Sequence, residues 1–153
     1  MTAYAPKTPA YRPPAADAIA DAVDKVIAEL RHVQHRIGRV MAVVTAAAVR
    51  DVLTGRDHDA PFDAAWVELV EHEDRKLFAS GAYWTAAGKR RTFLDDFGRA
   101  DGANAALDLN DWTGDLDDTN REVWEPISER LDDRRGRRVF RMDLAKAAAL
   151  PLD

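Results

Sequence analysis

The sequence predicts an all-α fold: a helical bundle organised on one long heptad-patterned helix, entered from an extended Pro-rich N-terminal arm. Three observations predict it. Apolar residues recur at alternating spacings of four and three from Ile19 to Ala47. Prolines crowd the first 14 residues and then stop until Pro61. Later apolar residues fall mostly at helical distances between short polar turns.

The arm, residues 1–14, carries Pro6, Pro9, Pro13 and Pro14. Proline fixes φ and removes a backbone donor, so this stretch is expected to be extended. Residues 15–153 are expected to form a single α-helical domain. Within it Ile19, Val23, Val26, Leu30, Val33, Ile37, Val40, Val44 and Ala47 trace an unbroken heptad seam. Val23, Leu30, Ile37 and Val44 take the a positions, and the others take d. Only a helix places them on one stripe. Asp17 and Asp21 favour the positive end of its dipole, and Gly55 can close it after Leu53. The helix should therefore cover 15–53, about 39 residues or about 58 Å. Its first half is flanked by charges such as Asp24, Lys25, Glu29 and Arg36. Its second half, from Val40 to Val49, has none.

After the polar turn 54–59, Pro61 opens a second expected helix, carrying Phe62, Trp66, Leu69, Val70 and Leu77 up to Gly81. Thr92–Phe97 suits a short helix closed by Gly98, and Ala103–Leu109 another turn or two. Asp111–Asp118 reads as an acidic loop. Thr119 and Glu122 have the form of a capping box, feeding a helix with Trp124, Ile127 and Leu131 on its buried face. Arg138–Leu144 alternates, with Phe140, Met142 and Leu144 on one side. An extended segment and a final helix both stay open there.

The composition bounds function. The chain has 153 residues, 46% hydrophobic and 32% charged, which suits one folded domain. Its net charge of −5 argues against a general nucleic-acid binder. It has no cysteine, so disulfides, thiol nucleophiles and Cys-ligated metals are excluded. That fits a reducing cytoplasm, where we expect the protein to reside. The N-terminus lacks the apolar core of a signal peptide. The longest apolar run, Val40–Val49, is too short to cross a bilayer, so no membrane partner is expected. The heavy use of Ala, Arg and Asp suggests a GC-rich bacterial or phage genome.

Several motifs imitate active sites. Asp115 and Asp117 match the D-x-D-x-T string of aspartate-nucleophile phosphatases. That string must follow a buried strand, which residues 110–114 do not resemble. Asp111, Asp115, Asp117 and Glu122 fall at calcium-loop positions 1, 5, 7 and 12. Leu116 stands where the loop's sharp turn needs glycine, and no second loop exists to pair with. An acidic loop is the expected outcome, with neither metal nor cofactor. Glu29 with His32, and Glu68, Glu71 and His72, resemble parts of a di-iron bundle. The heptad places Glu29 and His32 beside or away from the seam, however, and His35 outward. Lys89–Arg91 is a basic cluster near Tyr83, Trp84 and Phe93. A second one, Arg134, Arg135, Arg137 and Arg138, is the candidate contact for an anion or nucleic acid. Salt bridges to nearby Asp132 and Asp133 are the plainer expectation. The four tryptophans are expected to anchor the core.

No catalytic constellation emerges. The expected role is a non-catalytic interaction or assembly protein. It would act as a homo-oligomer, or as an accessory subunit of an enzyme assembly or virion, with a protein partner on the seam. The alternative is a nucleic-acid-associated regulator using the C-terminal arginines.

Overall fold

The computed structural model describes residues 8–153, and residues 1–7 of the expected arm lie outside them. The fold is mixed α/β, 49% helical and 21% strand, which overturns the all-α bundle. In chain order the elements are α1 (Ala16–Thr54), β1 (Trp66–Glu71), β2 (Leu77–Trp84), β3 (Arg90–Thr92), α2 (Phe93–Phe97) and α3 (Arg99–Thr113). Then come α4 (Arg121–Trp124), β4 (Ser128–Arg134), β5 (Arg137–Asp143) and α5 (Leu144–Ala148). The chain divides into a unit ending at His32 and a larger unit, Val33–Asp153. Residues 8–15 form neither helix nor strand.

The long helix is present as the heptads predict, and Gly55 follows it with a positive φ of 63°. Its packing face is not the heptad seam. Gly38, Ala42, Thr45 and Val49 are its buried residues, and they lie roughly 120° around the helix from the seam. Small side chains on this face let the helix approach closely. A Cβ on Gly38 would sit 2.7 Å from Asn120 Cβ and 3.3 Å from Val123 Cβ. Ala42 and Val49 belong to the same core as Val67, Leu69, Leu77, Phe93, Trp124, Phe140 and Met142.

The helix expected over 60–80 is instead a hairpin. β1 and β2 belong to a five-stranded antiparallel sheet ordered β3-β2-β1-β5-β4. β1 is its central strand. Val67 and Leu69 face the helices, and Val70 faces the other way. Burial on both sides removes the alternation that marks a half-exposed strand. The extended alternative for 138–144 is realised as β5, whose Phe140 and Met142 pair with Leu69 and Val67. Its partners in the sheet are β1 and β4. Arg135 and Gly136 both take positive φ, 54° and 74°, in the tight β4–β5 turn, as two-residue hairpins favour.

The β1–β2 register shifts between Val67 and Leu69. Gly81, at φ 93°, makes the bulge on the opposing strand, and the bulge swings Ser80 toward Glu68. On the outer edge of β2, Leu77 N–H donates to Leu116 O at 3.0 Å and Ala79 N–H to Asn110 Oδ1 at 2.6 Å. The turn after α3 thus covers part of that edge. β4 forms the opposite edge, and five of its seven residues are charged.

The remaining helices are short. Thr92 caps α2 by accepting from Asp95 N–H, and Gly98 ends it. Residues 111–113 of the expected acidic loop belong to α3. The capping box lies at Asp117 and Asn120, not at Thr119 and Glu122. α4 stops at Trp124, ahead of Pro126, and Leu131 lies on β4.

Candidate interaction surface

From Ala16 to Val33 every residue of α1 is exposed, the seam residues included, and the buried face begins at Gly38. Ile19 and Val23 are exposed, as are Val26 (61%), Leu30 (53%), Val33 (51%) and Ile37 (39%). Val40 and Val44 are half-buried. An apolar groove of about 570 Å³ runs along Pro14, Ile19, Val23, Val26 and Ile27. Apolar residues repeating on one face of a helix, each left half in water, carry an unfavourable hydration free energy that a partner would remove. His35 is not outward. It lies on the side of α1 that packs, and its Nε2 is 3.3 Å from Glu122. Glu29 and His32 are exposed.

The other notable surface is the sheet face opposite the core. Ser80, Glu68, Arg141 and Glu129 form a row across β2, β1, β5 and β4. Glu68 is fully buried beneath arginine side chains. Arg134 Nη1 donates to it at 2.7 Å, Arg90 Nη2 at 3.2 Å and Ser80 Oγ at 2.8 Å. Arg141 bonds Glu129 at 2.7 Å and stacks 4.5 Å from the Trp66 ring and 5.5 Å from Trp84. Of the tryptophans only Trp124 is a core anchor. Trp66 and Trp84 are half-buried on this face, and Trp112 is exposed.

Burial alone would raise the Glu68 pKa. Hydrogen bonds from Arg134, Ser80 and Arg90 more than offset it and hold the carboxyl below its ordinary value of 4.5. The carboxylate is thus held in its charged form by the same groups that cover it. The same shift makes stability pH-dependent. The unfolded chain binds the Glu68 proton at a higher pH than the folded one. The contribution is thus complete above 4.5 and lost as pH falls through the folded value. Glu68→Gln should flatten the acid-side decline in chemical denaturation curves. Equal slopes in both proteins would show that Glu68 titrates normally.

Glu71, the second buried carboxylate of β1, contacts Arg121, with Arg75 at 3.6 Å and Arg138 at 3.7 Å. Burial opposes the charge on Arg121. Bonds to Glu125 and Asp118 and the charge of Glu71 outweigh it and raise the guanidinium pKa. Arg121, Asp118, Glu125 and Arg138 edge an open cleft of about 820 Å³ that also holds Glu122 and Arg130. Its acids and bases are already paired.

The C-terminal arginines do not form one patch. Arg134 bonds Glu68 on one face of the sheet, while Arg138 reaches toward Glu71 on the other. Arg137 lies 3.0 Å from His72 Nδ1, and Arg135 sits in the turn. Their carboxylate partners come from β1, not from Asp132 and Asp133 as the sequence suggested. Asp133 pairs with Arg130. The calcium-loop residues are also dispersed. Asp111 is in α3, Asp117 accepts from Thr119 as a cap, and Glu122 faces His35. Among the described residues no three His, Asp or Glu side chains gather as a metal site. Nor is any helix among them long and apolar enough to cross a membrane.

Comparison with known proteins gives no family, no curated protein and no solved structure that matches this chain.

Proposed function

We propose that the protein is a non-catalytic assembly module that associates through the α1 seam, as a homo-oligomer or within a larger complex. A cytoplasmic location, suggested by the absence of cysteine, belongs to the same proposal. One observation carries it. Six apolar residues of one helix stripe, Ile19 to Ile37, stay exposed, and an apolar stripe left in water is the usual mark of an interaction surface. The rival nucleic-acid reading draws less support, because Arg134 and Arg138 are engaged by carboxylates on opposite sheet faces.

Size-exclusion chromatography with light scattering tests the proposal. The wild type should show the mass of more than one copy, and Leu30→Asp the mass of one. Circular dichroism and the melting of the sheet should be unchanged, since Leu30 is half-exposed within the chain. A wild type that is a monomer overturns the homo-oligomer, and a multi-copy mass that survives Leu30→Asp overturns association through the seam.

A further inference from the structure

We propose that the seam is covered by a second copy of this chain, running antiparallel and centred between Arg31 and His32. The inference rests on the assembly reading above and adds partner, direction and register to it.

The seam is symmetric about that centre. Laid antiparallel, Leu30 meets the partner's Val33, Val26 meets the partner's Ile37, Val23 meets the partner's Val40 and Ile19 meets the partner's Val44. Each of the eight residues from Ile19 to Val44 thus faces another seam residue, over an overlap of about 39 Å. In a coiled coil each a residue packs beside a d residue of an antiparallel partner, as these pairings provide.

Charge selects the register. The residues flanking the seam from 20 to 43 are Ala20, Ile27, Gln34 and Met41 on one side and Ala22, Glu29, Arg36 and Val43 on the other. Only Glu29 and Arg36 are charged, and both are exposed. Antiparallel helices bring like flanks together, so this register sets Glu29 beside the partner's Arg36, twice by symmetry. Arg36 uses its Nε on Leu152 O at 3.3 Å, and that bond does not involve its two terminal amino groups. A slip of one heptad puts Glu29 on the partner's Glu29, or Arg36 on the partner's Arg36. The second slip also carries Asp51 into the seam against Ile19. A parallel pair would oppose Glu29 to Gln34 and Arg36 to Met41, forming no ion pair. Like charges across the axis are the usual means of rejecting wrong registers.

The absence of cysteine makes the test direct. Val26→Cys and Ile37→Cys variants are prepared separately, refolded together and oxidised. In the proposed register position 26 lies opposite 37, within disulfide reach. Positions 26 and 26 of the two copies are about 16 Å apart along the axis, beyond it. The mixture should give cross-linked dimer, and each variant alone should give almost none. As a second measurement, Glu29→Arg should weaken the dimer at least several-fold, and adding Arg36→Glu should restore it. Cross-linking of either variant with itself overturns the antiparallel assignment, as does failure of the charge reversal to rescue. A dimer that Leu30→Asp dissociates but that cross-links only homotypically leaves the assembly reading standing. A monomeric wild type overturns the antiparallel pair and, with it, the homo-oligomer half of the assembly reading.

Discussion

Trp124→Ala should cost about 3–5 kcal/mol, the usual range for emptying a buried aromatic site. The ring has no solvent exposure. It packs edge-on against Phe140 at 5.2 Å and lies under the Arg121 guanidinium at 4.8 Å. Its Nε1 donates to Asp117 O at 2.9 Å. Truncation therefore leaves a cavity beneath β5 and removes the donor to a carbonyl in the turn that leads into α4. Against a total stability of about 5–15 kcal/mol, the melting temperature should fall by roughly 10 °C. Trp124→Phe should lose less, because it keeps most of the volume and forfeits the hydrogen bond. A loss below about 1 kcal/mol for the alanine variant, within the range of ordinary surface substitutions, would remove Trp124 from the centre of the core.

Gly102→Ala is the smallest substitution with a comparable effect. Gly102 is buried in the first turns of α3, where alanine would normally be favoured by about 1 kcal/mol. Here a Cβ would lie 2.6 Å from Leu94 Cα, 2.7 Å from Leu94 N and 2.7 Å from Phe93 O. All three are backbone atoms, so no side chain can rotate away and α2 must part from α3. We expect a loss of about 3 kcal/mol, the upper end for overpacking. Asp108→Ala, exposed on the same helix, should stay within about 0.5 kcal/mol. A stabilised Gly102→Ala variant would show that the α2–α3 contact is looser than described.

The helical parts of the fold were legible in the sequence because helices are written locally. The limits of α1 follow from its heptads and Gly55, and α2 follows from Thr92 and Gly98. The sheet was not legible, and β1 shows why. Trp66–Glu71 carries two glutamates in six residues, which reads as the wet side of a helix. Both are buried because arginines distant in sequence reach them: Arg90 and Arg134 to Glu68, Arg121 and Arg138 to Glu71. No local window contains those pairings. Once β1 is taken for helix, β5 has no partner to justify the alternation of Phe140 and Met142. The turn at Arg135-Gly136 between two apolar-bearing runs was the available signal for the hairpin.

The seam was legible, and so was the expectation that part of it stays uncovered; the face through which α1 packs was not. Periodicity shows that a face is apolar without showing what covers it. The small residues Gly38, Ala42 and Thr45 were the overlooked sign that α1 has a second packing face. The arginine cluster failed in the opposite way. Neighbours in sequence on a strand alternate between faces, so adjacency of Arg137 and Arg138 separated them in space.

The composition of β4 bears on aggregation. A free sheet edge offers unpaired N–H and C=O groups to any passing strand, and proteins blunt such edges with charge. Glu129, Arg130, Asp132, Asp133 and Arg134 place a charge at nearly every position of this edge, and only three residues of β3 continue the sheet at the other. Open-ended strand stacking, which grows into fibrils, is thereby disfavoured. A helical seam, by contrast, is satisfied once a closed pair has formed. If the seam pairs as we propose, a guarded edge and an open stripe together favour an association that terminates over one that grows.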